Sequence, residues 1–324
     1  TESGCFSHIA RVAGAVELVR DDGTTIALGI LQEFIDNQSD SWSFTLNYLY
    51  RFFEVYLPGL PHGEGGDSPV LENLHEGYLA KMELLGRRIG AMHKVLSEDS
   101  EVSEFMPEEI EDQEWETLAA SIEEDLGKVL VRMKQLVTSF SIELQGMVKK
   151  LISMETRFAE KIRSFIPRGQ RLFKTRHHGD LHLGQILIVA NDFVIIDFEG
   201  EPARSPQERS RKCCPLRDVA GMLRSFSYAS ETVRRKIRQE KPETFEAVSL
   251  LINEWEASVT ERFLMGYANE TSGCRSVPSD KRQLNRILRL LCLEKAVYEF
   301  SYELNNRPNW LEIPICGLIK CLDQ

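Results

Sequence analysis

Apolar and polar residues between positions 11 and 35 follow a pattern typical of two β-strands. Val12, Val16 and Leu18 lie in the first run, and the second extends from Thr24 to Ile35. The dipeptide Asp22-Gly23 between them favours a tight hairpin turn, because glycine readily adopts positive φ. The pattern therefore predicts one β-hairpin, which is only marginally stable in water without further strands.

Most of the remaining chain has the three- and four-residue apolar spacing of helices. One helix is predicted from Ser43 to Leu57, before Pro58-Gly59, and others over most of 114–166 and beyond residue 215. A further long helical face is formed by Leu74, Tyr78, Met82, Leu85, Ile89, His93 and Leu96. Two short β-rich runs, 185–189 and 193–196, flank an Asn191-Asp192 turn. The sequence predicts an α+β, mainly helical fold.

Composition and charge narrow the classes of protein and of partner. The chain has 324 residues, 42% of them hydrophobic, and a formal net charge of −11. Such a chain can bury a core, and its acidic surface repels phosphate backbones, so a nucleic-acid partner is not expected. An apolar run long enough to span a membrane is absent from the sequence, and the cysteines lack the spacing of a zinc or disulfide framework. We therefore expect a cytoplasmic protein without a membrane partner.

The chemistry-bearing residues are concentrated in two neighbouring segments, HGDLHLGQ at 178–185 and IIDFE at 195–199. Asp180 lies in a loop before the predicted short hairpin, Gln185 opens it, and Asp197 follows its second strand. The hairpin turn should fold Gln185 and Asp197 back toward one another. This layout suits phosphoryl transfer, in which one carboxylate accepts a hydroxyl proton while an amide oxygen and a second carboxylate hold Mg²⁺.

A purely structural interpretation has Asp180 capping a turn and Asp197 merely ending a strand. The two acids together, with a glycine beside the first and an amide at the expected offset, favour catalysis. His178 and His182 flank the loop, so we assign them a supporting role. The glycine between them opposes the helix that a zinc-binding pair needs, and zinc is rejected.

The two segments resemble the catalytic and metal-binding loops of the aminoglycoside phosphotransferase and choline kinase group, a protein-kinase-like superfamily. Further motifs are DFEGEP at 197–202, LRDVAGMLRSF at 216–226, EKAVYE at 294–299 and YELNNRPNW at 302–310. With these motifs the chain resembles the bacterial maltokinases, which are often fused to trehalose synthase.

The resemblance implies a protein-kinase-like C-terminal lobe over residues 41–324. Residues 1–40 would be a remnant of the β-rich nucleotide-binding lobe and the hinge. By the same resemblance Asp180 is the catalytic base, Gln185 and Asp197 hold Mg²⁺, and Glu199 is a further candidate metal ligand. The expected cosubstrate is ATP, with its adenine bound by the hinge residues Gln32, Glu33, Phe34 and Ile35.

The implied reaction is ATP-dependent phosphorylation of maltose to maltose 1-phosphate, and the implied partner is a fused or associated trehalose synthase domain. Sugar recognition needs aromatic faces and polar groups. The candidate sugar-binding residues are Tyr298, Tyr302, Glu303, Arg307 and Trp310. Tyrosines at helical spacing also serve core packing, so that alternative stays open for them.

The sequence departs from the resemblance upstream of the predicted hinge. The first lysine of the chain is Lys81, so the strand lysine that contacts ATP phosphates in such kinases has no counterpart before Glu33. We therefore expect an N-terminally truncated fragment with little activity alone. Two alternatives remain: a phosphotransferase for another hydroxyl, such as an aminoglycoside, choline or a different sugar, and a non-catalytic kinase-like module attached to a trehalose synthase.

Overall fold

The computed structural model describes residues 6–56, 69–202 and 204–323. The strands are β1 (Val12–Val19), β2 (Thr25–Gln32), β3 (Ser39–Asp40), β4 (Glu108–Glu109), β5 (Phe173–Lys174), β6 (Ile186–Val189) and β7 (Asp192–Ile195). The helices are α1 (Ser41–Tyr56), α2 (Pro69–Leu96), α3 (Asp112–Leu136), α4 (Ile142–Ser153), α5 (Phe158–Ser164), α6 (Pro206–Arg209), α7 (Leu216–Glu240), α8 (Phe245–Glu270), α9 (Lys281–Asn306) and α10 (Glu312–Asp323). The described part of the chain is therefore mainly helical.

The predicted N-terminal hairpin is confirmed. Strands β1 and β2 pair antiparallel, with Val19 opposite Thr25 across the turn that contains Gly23 at φ 83°. Apolar side chains on both strands are largely exposed, including Val16 and Leu28. The predicted helix at Ser43 is α1, and its predicted stop at Pro58-Gly59 lies outside the described residues.

A second, three-stranded sheet carries the segments singled out by the sequence. Its order is β3-β6-β7, all antiparallel, and β6 and β7 form the predicted hairpin. Ala190 and Asn191 make the turn with φ values of 47° and 70°. Because Ile186 pairs with Ile195, the residues just outside the hairpin, Gln185 and Ile196, come together at its open end.

The helices enclose one continuous apolar core against this sheet. Helices α2 and α8 approach so closely that a Cβ on Gly266 would lie 2.0 Å from the carbonyl oxygen of Glu83. Trp255 and Phe263 of α8 and Phe226 of α7 are fully buried between the helices. Within the described residues, none of the helices combines the length and the apolar character that crossing a bilayer requires.

Candidate active site

The loop between β5 and β6 is held in place by the carboxylate of Asp218, a residue of α7. Asp218 is buried, and its Oδ2 accepts the backbone N–H of His178 at 2.7 Å while Oδ1 accepts that of Gly179 at 2.9 Å. Gly179 has a φ of 89°, which glycine adopts without a steric penalty. A buried acceptor that bonds two consecutive N–H groups fixes the backbone directly before Asp180.

A buried histidine supports this carboxylate in turn. His93 of α2 lies 3.1 Å from Asp218 Oδ2 through Nε2, and its Nδ1 lies 2.9 Å from the hydroxyl of Tyr267. Burial alone would raise the pKa of Asp218, but His177 and His93 outweigh it and keep the pKa below its ordinary value. His93 is buried in the core on the apolar face of α2, and it also orients the carboxylate of Asp218.

His178 connects the Asp180 loop to the end of β7. Its Nε2 donates to the carbonyl oxygen of Ile196 at 2.8 Å, and its Nδ1 accepts the backbone N–H of Asp180 at 3.3 Å. This pattern assigns the proton to Nε2. The ring also packs against Phe198, with centroids 4.8 Å apart. His178 therefore holds the two predicted catalytic segments at a fixed separation.

Gln185 and Asp197 lie side by side at the open end of the hairpin. The Gln185 amide donates through Nε2 to Asp197 Oδ2 at 2.7 Å, and the backbone N–H of Ile196 donates to the Gln185 carbonyl at 3.0 Å. Asp197 has a φ of 66°, a sparsely populated conformation for a residue with a Cβ, of the kind often found at functional sites. The expected convergence of this amide and carboxylate is present.

The donor set at this end fits a magnesium ion that phosphate oxygens also ligate. No cluster of three or more His, Cys, Asp or Glu side chains able to hold a metal occurs among residues 6–56, 69–202 and 204–323. Mg²⁺ bound with a nucleotide needs only one or two protein oxygens besides phosphate and water. The third predicted ligand, Glu199, lies on the exposed loop beyond Asp197, and its backbone carbonyl accepts from Arg209 at 3.3 Å.

A lysine of α9 reaches the predicted base. Lys295 Nζ lies 3.5 Å from Asp180 Oδ1 and is also ion-paired with Glu201. The sequence motifs contained Asp218, Lys295 and Glu201, but nothing in their spacing assigned them to the site. Their partners lie far away in the chain, so only the packing of α7 and α9 against the loop brings them together.

A cavity of about 560 Å³ opens beside Asp180. Its wall includes every predicted sugar-binding residue: Tyr298, Tyr302, Glu303, Arg307 and Trp310. Trp42, His182 and Tyr228 also line it. The predicted base and the predicted sugar residues therefore share one cavity, although their roles remain predictions.

The charged walls of this cavity are internally paired. Glu299 Oε2 accepts both Nε and Nη2 of Arg224, at 3.0 and 2.7 Å. Buried Glu303 accepts from Arg307 Nη2 at 2.6 Å and from the Tyr228 hydroxyl at 2.9 Å. Such pairing presents carboxylates in fixed positions at the cavity surface, which is a requirement for selecting among similar polyols.

The remaining predicted residues lie at the edges of this arrangement. His182 lines the cavity, its Nδ1 accepts the backbone N–H of Gly184 at 3.0 Å, and burial lowers its pKa. In the predicted hinge, Gln32 pairs with Val12 in the N-terminal hairpin, and the backbone N–H of Glu33 donates to the Arg11 carbonyl at 2.8 Å.

The other two hinge residues are placed differently. Phe34 is 88% exposed, and Ile35, which is half-buried, accepts a hydrogen bond from the Asn37 side chain through its carbonyl oxygen. Contact of this segment with adenine stays a prediction, as does the division of the chain at residue 40.

Curated relatives of the chain are glucosamine kinases. The enzyme of Mycolicibacterium smegmatis is 30% identical over 148 residues, which make up 45% of this chain and 34% of that protein. The enzyme of Streptacidiphilus jiangxiensis is 26% identical over 147 residues, or 45% of this chain and 31% of that protein. The alignments thus span about a third of each relative's length. No protein-family model matches the chain.

Solved structures of glucosamine kinase share the fold over nearly the whole chain. Crystal forms B and A each superpose with a TM-score of 0.71 at 18% identity, covering 98% of this chain and 66% and 67% of theirs. A complex with glucosamine, ADP and inorganic phosphate has a TM-score of 0.68 at 18% identity, covering 98% of this chain and 69% of that one. Identity this low shows a common fold alone.

These comparisons correct two predictions. The prediction of the bacterial maltokinase family is wrong, because the relatives and structural neighbours are glucosamine kinases. The fold is likewise assigned as that of glucosamine kinases rather than as a protein-kinase-like C-terminal lobe. The physical reason is that Asp180, Gln185 and Asp197 suit phosphoryl transfer in general, so the motifs predict a class of reaction and do not identify the substrate or the fold family.

Proposed function

We propose that the chain forms the acceptor-binding and catalytic part of an ATP-dependent sugar kinase. The observation that carries the proposal is the position of Asp180. This carboxylate lines the 560 Å³ cavity, and His178 joins its backbone to Ile196, the residue before Asp197. Phosphoryl transfer to a hydroxyl requires a proton acceptor that lies between the acceptor cavity and the groups that hold the phosphates. In this proposal Asp180 is that proton acceptor, and Gln185 and Asp197 hold the phosphates through Mg²⁺.

In the proposed reaction, a sugar hydroxyl in the cavity attacks the γ-phosphorus of ATP. The hydroxyl proton passes to the carboxylate of Asp180, the new O–P bond forms, and the bond from the γ-phosphorus to the β–γ bridging oxygen breaks to release ADP. Asp218 and His178 hold the loop, so that Asp180 needs little reorganisation when the acceptor binds. The residues of the chain thus bind the acceptor, orient it and accept its proton.

Gln185 and Asp197 would hold Mg²⁺ in this kinase. Both supply the hard oxygen ligands that this ion prefers, and the ion would neutralise charge on the phosphates. As the side chains stand, Gln185 donates through Nε2 to Asp197, so its Oε1 is the atom available for a cation. Glu199 stays a candidate through its place two residues after Asp197.

The acceptor that we propose is an amino sugar of the glucosamine type. The relatives named as glucosamine kinases support it. The carboxylates of the cavity wall outnumber its Arg and Lys side chains by one, four to three, and this small excess of negative charge favours an ammonium group over a neutral hydroxyl. The comparisons support this alternative better than maltose with a trehalose synthase partner, and maltose enters the test as a competing acceptor.

The experiment tests a panel of acceptors with the full-length protein. ADP release from ATP–Mg²⁺ is measured with glucosamine, glucose, maltose, choline and an aminoglycoside, and the products are identified by phosphorus NMR. We expect phosphorylation of glucosamine, lost by at least about a thousandfold in Asp180→Asn. Asp280→Asn is the matched control, because Asp280 is the N-cap of α9 and has no role in the proposed site, and asparagine also caps helices. An unchanged rate in Asp180→Asn contradicts the proposal.

A further inference from the structure

Lys295 stands between two carboxylates at the junction of α9 with the Asp180 loop. Its Nζ is 3.5 Å from Asp180 Oδ1 and forms a closer ion pair with Glu201 Oε1. The side chains of Lys295 and Asp180 are each 24% exposed, and that of Glu201 only 5%. The lysine therefore approaches the predicted base from a partly desolvated wall, where a charge–charge contact is stronger than in open water.

Glu201 is itself fixed, which in turn fixes the lysine. Its other oxygen, Oε2, accepts a hydrogen bond from Arg204 Nε, so both carboxylate oxygens face cations. Burial alone would raise the pKa of Glu201, but Lys295 and Arg204 outweigh burial and the pKa lies below its ordinary value. Burial alone would lower the pKa of Lys295, and the carboxylates of Glu201 and Asp180 reverse that effect. Glu201, Arg204 and Lys295 are therefore all charged at neutral pH.

The helix that carries Lys295 is rigid at this point. Leu291, Leu293, Ala296 and Val297 around it are buried in the core. A charged group on a packed helix is positioned more sharply than one on a loop. Among the ion pairs of the described residues, the one with Lys295 is the contact that reaches the Asp180 carboxylate. The other titratable groups that interact electrostatically with this carboxylate are His182 and Tyr298.

We propose that Lys295 is a positioning residue for Asp180, holding Oδ1 through the anchor Glu201 so that Oδ2 faces the acceptor hydroxyl. The proposal rests on the proposed function, in which Asp180 takes the proton of that hydroxyl. The same anchor joins α9, which lines the sugar cavity, to the loop that follows the Asp197 segment. The predicted base, the cavity wall and the loop after Asp197 are then aligned by one partly buried chain of alternating charges.

The kinetic test separates positioning from sugar binding. Lys295→Met should lower kcat about a hundredfold with less than about a twofold change in KM for sugar or ATP, because a misplaced base harms the chemical step and not binding. Lys295→Arg keeps the charge and should recover at least about tenfold of that loss. An increase in KM for the sugar with kcat unchanged overturns the proposal, since Lys295 would then bind the substrate.

A double variant and a control test the role of Glu201 as the anchor of Lys295. The double variant Lys295→Met/Glu201→Gln should be no slower than Lys295→Met, because both changes break the same chain. Additive losses overturn the proposal. Lys320→Met is the matched control, since Lys320 pairs with Glu256 on the outer side of α10, and it should leave kcat unchanged.

A structural readout keeps this inference separate from the proposed function. The carboxyl carbon of Asp180 is observed by ¹³C NMR and assigned with Asp180→Asn. Lys295→Met should shift this resonance, and Lys320→Met should not. If no acceptor is phosphorylated, the proposed function fails while a shifted resonance still supports the positioning contact. An unshifted resonance in folded Lys295→Met overturns it.

Discussion

The carboxylate of Asp218 on α7 accepts the backbone N–H of His178 at 2.7 Å, and the loop that carries Asp180 is held by this hydrogen bond and its neighbour at Gly179. Asp218 is only 2% exposed, and His93 Nε2 lies 3.1 Å from Oδ2 of its carboxylate. A buried ionised acceptor with charge-assisted donors contributes more than a neutral pair would. The relationship couples the stability of the helical core to the geometry of the predicted base.

Asp218→Asn should therefore weaken both stability and turnover. The amide retains one acceptor oxygen, but its NH₂ group faces a backbone N–H, so one of the two loop donors loses its partner. We expect the free energy of unfolding to fall by about 2–4 kcal/mol, measured by urea titration, and kcat to fall at least about tenfold. Asp125→Asn on the exposed face of α3 is the control. Equal effects of the two variants would disprove the anchoring role.

Removal of the proposed metal ligands gives a second prediction. Asp197→Asn should raise the Mg²⁺ concentration needed for half-maximal turnover by about tenfold or more, because the anionic ligand is lost. Gln185→Ala should have a smaller effect, since it removes only a neutral oxygen. The measurement is ADP release at fixed nucleotide across a Mg²⁺ titration, with Asp36→Asn in an exposed segment as control. A normal Mg²⁺ dependence in Asp197→Asn would rule out this site.

The sequence was sufficient to predict those features of the site that are local in the chain. The hairpin of β6 and β7 follows from its apolar runs and turn, and it brings Gln185 to 2.7 Å from Asp197 as expected. Asp218 and Lys295 were not predictable in this way. Each is a polar residue at an ordinary helical position, and its role depends on a partner fixed by the packing of α7 or α9.

The substrate was the other feature that could not be predicted from the sequence. Phosphoryl transfer requires the same acids and amide whatever hydroxyl is phosphorylated, so these residues do not identify the acceptor. The further motifs led to the prediction of maltose, whereas the relatives are glucosamine kinases. In the proposed kinase, selection among sugars would depend on how cavity residues such as Glu299, Glu303 and Trp310 are arranged. Such an arrangement follows from side-chain pairing across elements, and residue spacing alone does not specify it.

His75 gives a pH-dependent contribution to stability. The side chain is 4% exposed, near the Tyr48 hydroxyl and the ring of Phe52, and burial lowers its pKa to about 4 from 6.5. Between these values the unfolded chain binds the proton and the folded chain does not, so the contribution is complete above pH 6.5 and is lost as pH falls toward 4. The unfolding free energy should fall by about 2 kcal/mol from pH 7.5 to 5 through this group.

The measurement is urea denaturation at several pH values for the wild type and His75→Phe. Burial also lowers the pKa of His177 to about 4, so the pH dependence of the wild-type unfolding free energy reflects the titration of more than one histidine. The difference between the two slopes isolates His75, and His75→Phe should depend on pH less steeply by about the stated amount. Parallel curves would show that folding does not lower the pKa of His75.

Two glycines in helices should respond oppositely to alanine. A Cβ on Gly221 of α7 would lie 2.4 Å from the carbonyl oxygen of Leu181, the residue after Asp180, whereas a Cβ on Gly127 of α3 would meet open space. Gly221→Ala must therefore push the loop away from α7, at a cost of about 1–3 kcal/mol in unfolding free energy. Gly127→Ala should add about 0.5–1 kcal/mol, because alanine favours the helix.

The kinetic consequence follows the same geometry. Gly221→Ala should lower kcat more than it raises KM for the acceptor, because the displaced Leu181 moves the adjoining base, whereas the predicted sugar-binding residues of the cavity wall lie on α9 and after it. Gly127→Ala should leave both constants unchanged. The two variants are compared by urea titration and by ADP release. A Gly221→Ala protein with wild-type stability and kcat would mean that α7 does not fix the loop, and the support assigned to Asp218 from the same helix would fail with it.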